Sequence, residues 1–332
     1  MLNLPPQALL LDIETSGLSK EKDVIISIGI YYKDDSGILK HKNWFLEHPD
    51  EEAPLLQEFT QFIKKSQTLY SYKGKVFDYP FLLSRMRFHQ INTESFQRLK
   101  LVDCYPALKY FGKTRESLEK QTTYQRKSSC SGRDVIKLYH TYVKSKDAIY
   151  KSLILKHQQD ELDSLCHLLE VYFVLYGLSS LKFLTKETKE DTLTLVLENK
   201  TPFTTSFNGN HKTISLSWQQ GEKHCTVKVA LFEGELKHFL TPVKDYYYIP
   251  SQNQLMHRSL ATFIPNHLKR KAAKDECYLT KQGLFVNLFT KHRVNIPIWT
   301  NCENELYVTL EDFEPALLCN QLFYLCFNQD KA

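Results

Sequence analysis

The spacing of apolar positions changes period several times along the chain. Leu9, Leu10 and Leu11 form a short apolar run that meets Asp12, Ile13, Glu14 and then a turn at Gly17, which reads as a buried strand. The β-branched run from Val24 to Tyr32 predicts a second strand. Asp34-Asp35-Ser36-Gly37 predicts a hairpin turn, with a third strand from Ile38 to near Leu46. Leu55, Phe59, Phe62 and Ile63 then keep helical spacing behind Pro54. A strand from Thr68 to Tyr72, a helix from Phe77 to His89 and a short strand from Leu99 to Cys104 follow, and the chain is mostly helical to Gly177. A three-strand meander running into alternating helix and strand predicts an α/β fold, a mixed five-stranded sheet with helices on it.

After Ser180 the period becomes two. Leu193, Leu195 and Leu197 alternate, as do Ile214, Leu216 and Trp218, then Val227 and Val229, which predicts half-buried strands. Asn208-Gly209-Asn210 reads as a turn between the first two, and Lys244 to Pro250 as a further strand. The basic run from Ser259 to Lys274, with His267, Lys269, Arg270, Lys271 and Lys274, reads as a helix: either a solvated face or a phosphate-tracking surface. Leu317, Leu318, Phe323, Leu325 and Cys326 predict a packed helix. Two domains are expected: 1–180, and a smaller β-rich α+β domain at 181–332 that holds substrate or a partner.

Composition adds limits. In 332 residues, 42% hydrophobic and 24% charged positions describe a soluble globular protein. A formal charge of +5 tolerates a polyanionic partner without requiring one, and neither half is strongly basic. No two of the eight cysteines are spaced C-x-x-C, so zinc is not expected. Buried thiols suit a reducing compartment, and a cytoplasmic location is expected. No signal peptide and no membrane span are expected.

Three stretches carry candidate chemistry. On a strand, Asp12 and Glu14 project from one face. Two adjacent carboxylates repel unless a cation sits between them, and hard oxygen ligands suit Mg²⁺ or Mn²⁺; the alternative is a strand running out into a solvated acidic turn. Asp78 follows the Gly74 loop near a helix start, either as an N-cap or as a third acid aimed at the same cations. His157-Gln158-Gln159-Asp160-Glu161-Leu162-Asp163 opens a long apolar helix. At about 100° per residue, Glu161 falls about 40° from His157 and Asp160 about 60° to the other side. That face is either a base beside a metal ligand or a solvated helix start favoured by the dipole.

In order and spacing, LLLDIETSGL (9–18), SYKGKVFDYPFL (71–82), the Ser131-Gly132 turn before a helix containing Tyr139, and HQQDELDSL (157–165) resemble the DEDD exonuclease branch of the ribonuclease-H-like superfamily. They are most similar to its YprB-type, predicted-exonuclease family. The likeness continues through GELKHFLTPVKDYYYIP (234–250) and MHRSLA (256–261). The resemblance implies a ribonuclease-H-like fold and a metal-dependent 3′→5′ exonuclease acting on single-stranded DNA or RNA. Two Mg²⁺ or Mn²⁺ ions, roughly 3.5–4 Å apart, are implied. Asp12 would bridge both ions and Glu14 would hold one. Asp78 and Glu161, or Asp160, would complete the shell, and His157 would accept the proton of the attacking water. Lys73, Lys75, Arg85, Arg87 and Tyr79 are candidates for a strand-binding channel, or else an exposed cationic loop and helix face.

Two positions depart from the family pattern. Lys73 stands where Asn is expected in N-G-K-x-F-D, and Glu161 stands where H-N-x-x-D has Asp. The rival expectation is a non-catalytic nucleic-acid-binding or scaffold protein that keeps the fold, and a third is a structure-selective endonuclease on the same scaffold.

Overall fold

The computed structural model describes residues 2–291 and 294–327. The chain divides into two compact units. The first takes residues up to 181 together with 198–211 and 216–225; the second takes 182–197, 212–215 and the residues from 226 onward.

In the first unit, β1 (Ala8–Thr15), β2 (Ile25–Lys33), β3 (Leu39–Phe45), β4 (Thr68–Ser71) and β5 (Lys100–Asp103) form one sheet in the order β3-β2-β1-β4-β5. The β1–β2 and β2–β3 pairs are antiparallel, and the β1–β4 and β4–β5 pairs are parallel, so the sheet is mixed as expected. Around it lie α1 (Glu52–Phe62), α2 (Asp78–Phe88), α3 (Glu94–Gln97), α4 (Tyr105–Leu108), α5 (Arg115–Glu119), α6 (Gly132–Ser145) and α7 (Ala148–Tyr176).

Alternation along β1 sorts its residues between two faces. Leu9, Leu11 and Ile13 enter a buried core with Leu56, Phe59 and Phe81. Asp12 and Glu14 therefore share the other face, the one against which α7 packs. Asp12 pairs with Gly29 in β2. A Cβ on Gly29 would stand 2.7 Å from Leu162 Cδ1 and 2.9 Å from Gln158 Cδ. The missing side chain lets α7 lie directly on the sheet beside Asp12.

The helix carrying His157 does not open there. It starts at Ala148, capped by the Asp147 side chain, which accepts from the Ile149 amide at 2.9 Å. His157 is in the third turn and Gly177 ends the helix, so the reading as a solvated helix start is overturned. His157, Gln158 and Asp160 are all buried.

A buried ion cluster ties β2, α1 and α2 together. The Glu52 carboxylate, fully buried, accepts from the Ile25 amide at 2.9 Å, from Arg85 Nη2 at 2.5 Å and Nε at 3.0 Å, and lies 2.7 Å from His89 Nε2. Arg85 thus fits neither expectation from sequence, a strand-binding channel or an exposed cationic helix face. Tyr79 is likewise packed, stacked on Phe96 with ring centroids 4.7 Å apart.

Further along are β6 (Lys182–Lys189), β7 (Thr192–Glu198), β8 (Phe207–His211), β9 (Ile214–Trp218) and β10 (His224–Phe239). Asn208-Gly209-Asn210 is not a turn but the middle of β8. Phe207 and Gly209 are buried while Asn208 and Asn210 are exposed, so period-two burial overrides the turn propensity. The second unit continues with β11 (Tyr246–Ile249), β12 (Gln254–His257), α8 (Arg258–Ala261), β13 (Arg270–Lys271), β14 (Tyr278–Leu288), β15 (Trp299–Thr300), β16 (Leu306–Thr309) and α9 (Pro315–Phe327). Strand order is β14-β16-β15-β10-β7-β6 in one sheet and β12-β11-β13 in a small second one. Leu236, Phe285, Trp299 and Tyr307 form a buried cluster in this unit.

The basic run from Ser259 to Lys274 is not one helix. α8 covers only its start and ends at Ala261, and after Pro265 a single 3₁₀ turn, Asn266–Leu268, leads to the short β13. Arg270 pairs with Glu276 at 2.5 Å and lies 4.5 Å from the Tyr248 ring centroid. No helix among the described residues is long and apolar enough to cross a membrane.

Candidate active site

The candidate site lies at the carboxyl end of β1. The ladder between β1 and β4 stops at the Leu10–Tyr70 pair, and β4 ends at Ser71 while β1 runs on to Thr15. The Ile13 amide donates instead to Asp78 Oδ1 at 3.2 Å. Asp78 is therefore not a helix cap: no side-chain cap bond is made at the start of α2, and the carboxylate reaches across to β1. The preceding loop is shaped for this. Lys73 has φ +61°, in the left-handed region where residues other than glycine are uncommon. The Asp103 carboxylate accepts from the Lys73 amide at 2.9 Å and from Tyr105 N at 3.0 Å. A Cβ on Gly74 would meet Ser71 Oγ at 2.2 Å and stand 3.4 Å from Asp78 Oδ2.

From the opposite side, α7 brings His157 and Glu161. His157 Nε2 lies 3.3 Å from Glu14 Oε1 and 3.8 Å from Glu161 Oε1. Its Nδ1 is buried and, among the described residues, has no hydrogen-bond partner. Asp160 faces elsewhere: its carboxylate accepts from Tyr124 Oη at 3.0 Å and from the Lys127 amide at 3.1 Å. Of the two residues left open by helical spacing, Glu161 joins the acids and Asp160 anchors the segment before α6. The intervening Gln158 pins α7 in place. Its Nε2 donates to the Asp12 carbonyl at 3.2 Å, and its Oε1 accepts from Ser27 Oγ at 2.9 Å and from Asn43.

Two arginines that sequence reasoning passed over complete the cluster. Arg115, the first residue of α5, places Nη1 2.7 Å from Glu161 Oε2 and 3.6 Å from Asp12 Oδ1. Arg126 Nη1 stands 2.5 Å from Glu161 Oε1, and its Nη2 stands 2.7 Å from Glu119 Oε1. Neither arginine belongs to a periodic pattern or a recognisable motif; only the folded chain brings them to the acids.

Electrostatics follows this geometry. Burial pushes the Asp12 carboxyl well above the usual carboxylate range, opposed by Arg115 and reinforced by Glu161 and Asp78. Burial, then Asp12 and Glu161, push Glu14 up as well. Asp78 is raised to about 7, mainly by burial. Burial would also raise Glu161, but Arg115 and Arg126 outweigh it and hold that carboxyl low. Burial lowers His157, which favours a neutral imidazole able to accept a proton.

Between the unfolded carboxyl range, about 4, and the folded one, the native state binds the extra proton. Stability of the metal-free protein should therefore fall, relative to Asp78→Asn, as pH rises from about 5 to about 8. Paired urea titrations across that range check the sign, and a pH-independent difference would contradict the raised Asp78.

The donor set is chemically suited to a hard divalent cation: carboxylate oxygens from three elements, those of Asp12, Glu14 and Asp78 held from ionising mainly by burial. Yet among the described residues no three His, Cys, Asp or Glu side chains are gathered tightly enough to hold an ion as they stand. Arg115 supplies the positive charge between Asp12 and Glu161.

Residues 9–173 match the family model described as the RNase H superfamily. The fold of the first unit is ribonuclease-H-like. Among solved structures, the chain is similar to the family B DNA polymerase of the hyperthermophilic archaeon Pyrobaculum calidifontis, at 11% identity and TM-score 0.41, covering 77% of this chain and 40% of that one. It is also similar to E. coli exonuclease I in complex with a dT13 oligonucleotide, at 11% identity and TM-score 0.29, covering 63% of this chain and 54% of that one. The chain thus spans about half or less of either protein's length. Likenesses this distant carry no argument about activity. No curated protein sequence matches the chain.

Proposed function

We propose that the protein is a divalent-cation-dependent nuclease of the DEDD type, in the YprB-like group, that trims single-stranded DNA or RNA from the 3′ end. The observation carrying this reading is the meeting of Asp12 and Glu14 from β1, Asp78 from α2, and His157 and Glu161 from α7 at one strand end. Asp12, Glu14 and Asp78 would hold Mg²⁺ or Mn²⁺, with Glu161 beside them. Divalent metal held there would polarise the phosphate and lower the pKa of a bound water. Neutral His157 takes a proton as water attacks phosphorus; the bond to the 3′ oxygen breaks, that oxygen takes a proton from solvent, and a nucleoside 5′-monophosphate leaves. The acids meet beyond the carboxyl end of β1, the place where sites gather in open α/β sheets.

A second reading, a protein that keeps the fold and binds nucleic acid without cutting it, is favoured by the two arginines that engage both oxygens of Glu161. One assay separates them. With Mn²⁺, a 5′-labelled single strand should shorten progressively from its 3′ end. Chelation should stop this, added Mn²⁺ should restore it, and a blocked 3′ end should prevent it. Binding without cleavage supports the second reading; cleavage of closed circles supports an endonuclease.

A further inference from the structure

Arg115 is built into the acid cluster rather than resting near it. Its Nε donates to Ser164 Oγ at 3.3 Å and lies 3.6 Å from Glu119 Oε1. Its Nη2 donates to the Glu161 carbonyl, and its guanidinium lies 5.5 Å from the Tyr72 ring centroid. These partners come from α5, α7 and the end of β4, so the charge is fixed from several directions. The side chain is mostly buried, at 14% exposure. It stands between Asp12 and Glu161, one acid from the sheet and one from the helix, which is where a cation bridging those two elements belongs.

The oxygens of Glu161 are both engaged, Oε2 by Arg115 and Oε1 by Arg126. A cation taking the same lone pairs and these arginines exclude one another. What is left for an ion is Glu14, Asp78 and the side of Asp12 away from Arg115. A guanidinium cannot leave in exchange for solvent here without abandoning Glu119, Ser164 and Tyr72 as well, which argues for a permanent counter-ion and against a movable gate.

We infer that Arg115 takes the place of one of the two cations, so that the site binds a single divalent ion per chain. This rests on the metal-dependent reading above and deepens it. The fixed positive charge beside the phosphate is then supplied by the protein, and only the ion on the Glu14 and Asp78 side is exchangeable.

The test is the stoichiometry of Mn²⁺ alone, measured on the full chain by equilibrium dialysis with detection of unbound Mn²⁺ by electron paramagnetic resonance. Wild type should bind one ion per chain. Arg115→Gln, which vacates the space between Asp12 and Glu161, should bind two, and Arg115→Lys should return to one. Two ions in the wild type overturn the inference whatever the variants do. One ion in both wild type and Arg115→Gln overturns it as well, because Arg115 is then not what excludes the second. Ions bound only by Arg115→Gln also overturn it, since the arginine then bars both. No ion in any of the three proteins sinks the metal-dependent reading itself.

Discussion

Asp12→Asn should lower phosphodiester hydrolysis by about three orders of magnitude, a loss of about 4 kcal/mol of transition-state stabilisation. Asp12 faces Arg115 and interacts with Glu161 and Asp78, so its charge is felt across the whole cluster. The amide keeps the shape of the side chain, and the Gln158 bond is to the Asp12 backbone carbonyl, so the fold should persist. Asp160→Ala is the matched control. It removes the acceptor for Tyr124 and the Lys127 amide and should cost stability, while leaving the rate of the remaining folded protein near wild type. Single-turnover cleavage of a labelled oligonucleotide, with folding followed by circular dichroism, reads both. Equal activity in Asp12→Asn and wild type would remove Asp12 from the chemistry.

The largest stability effect is expected at Glu52→Ala, about 3–5 kcal/mol. The substitution strands the Arg85 guanidinium, only 5% exposed, and also frees the buried Ile25 amide and His89. Breaking one side of a buried ion pair costs far more than the pair is worth, because the remaining charge keeps no carboxylate and only the Glu21 carbonyl and the Phe88 ring beside it. Guanidinium chloride denaturation should show the midpoint fall with an unchanged slope. A loss below about 1 kcal/mol would mean that Arg85 finds another partner or reaches solvent.

The first unit was largely legible because its strands are short apolar runs closed by turn residues, and because strand alternation alone puts Asp12 and Glu14 on one face. What the chain could not reveal was direction. Helical spacing set Asp160 and Glu161 on either side of His157, and only the position of α7 against β1 decides that Glu161 turns inward. Arg115 was invisible for a related reason. It sits on a five-residue helix within an aperiodic stretch, and nothing local distinguishes it from a surface arginine. Arg85 departs in the opposite sense: a strand-binding channel and an exposed cationic helix face both put it at the surface, whereas Glu52 holds it buried. In the later part of the chain, turn propensity misled at Asn208-Gly209-Asn210, where sheet burial won, and a basic run was read through Pro265.

Gly29 gives the cluster a property that none of its acids possesses. Because the Leu162 and Gln158 side chains of α7 rest where a Cβ would stand, that position sets how far the helix lies from the sheet. Even one methyl would wedge the 157–161 turn outward and widen the jaws that Asp12 and Glu161 form. A residue with no side chain thus sets the gauge between Asp12 on the strand and Glu161 on the helix.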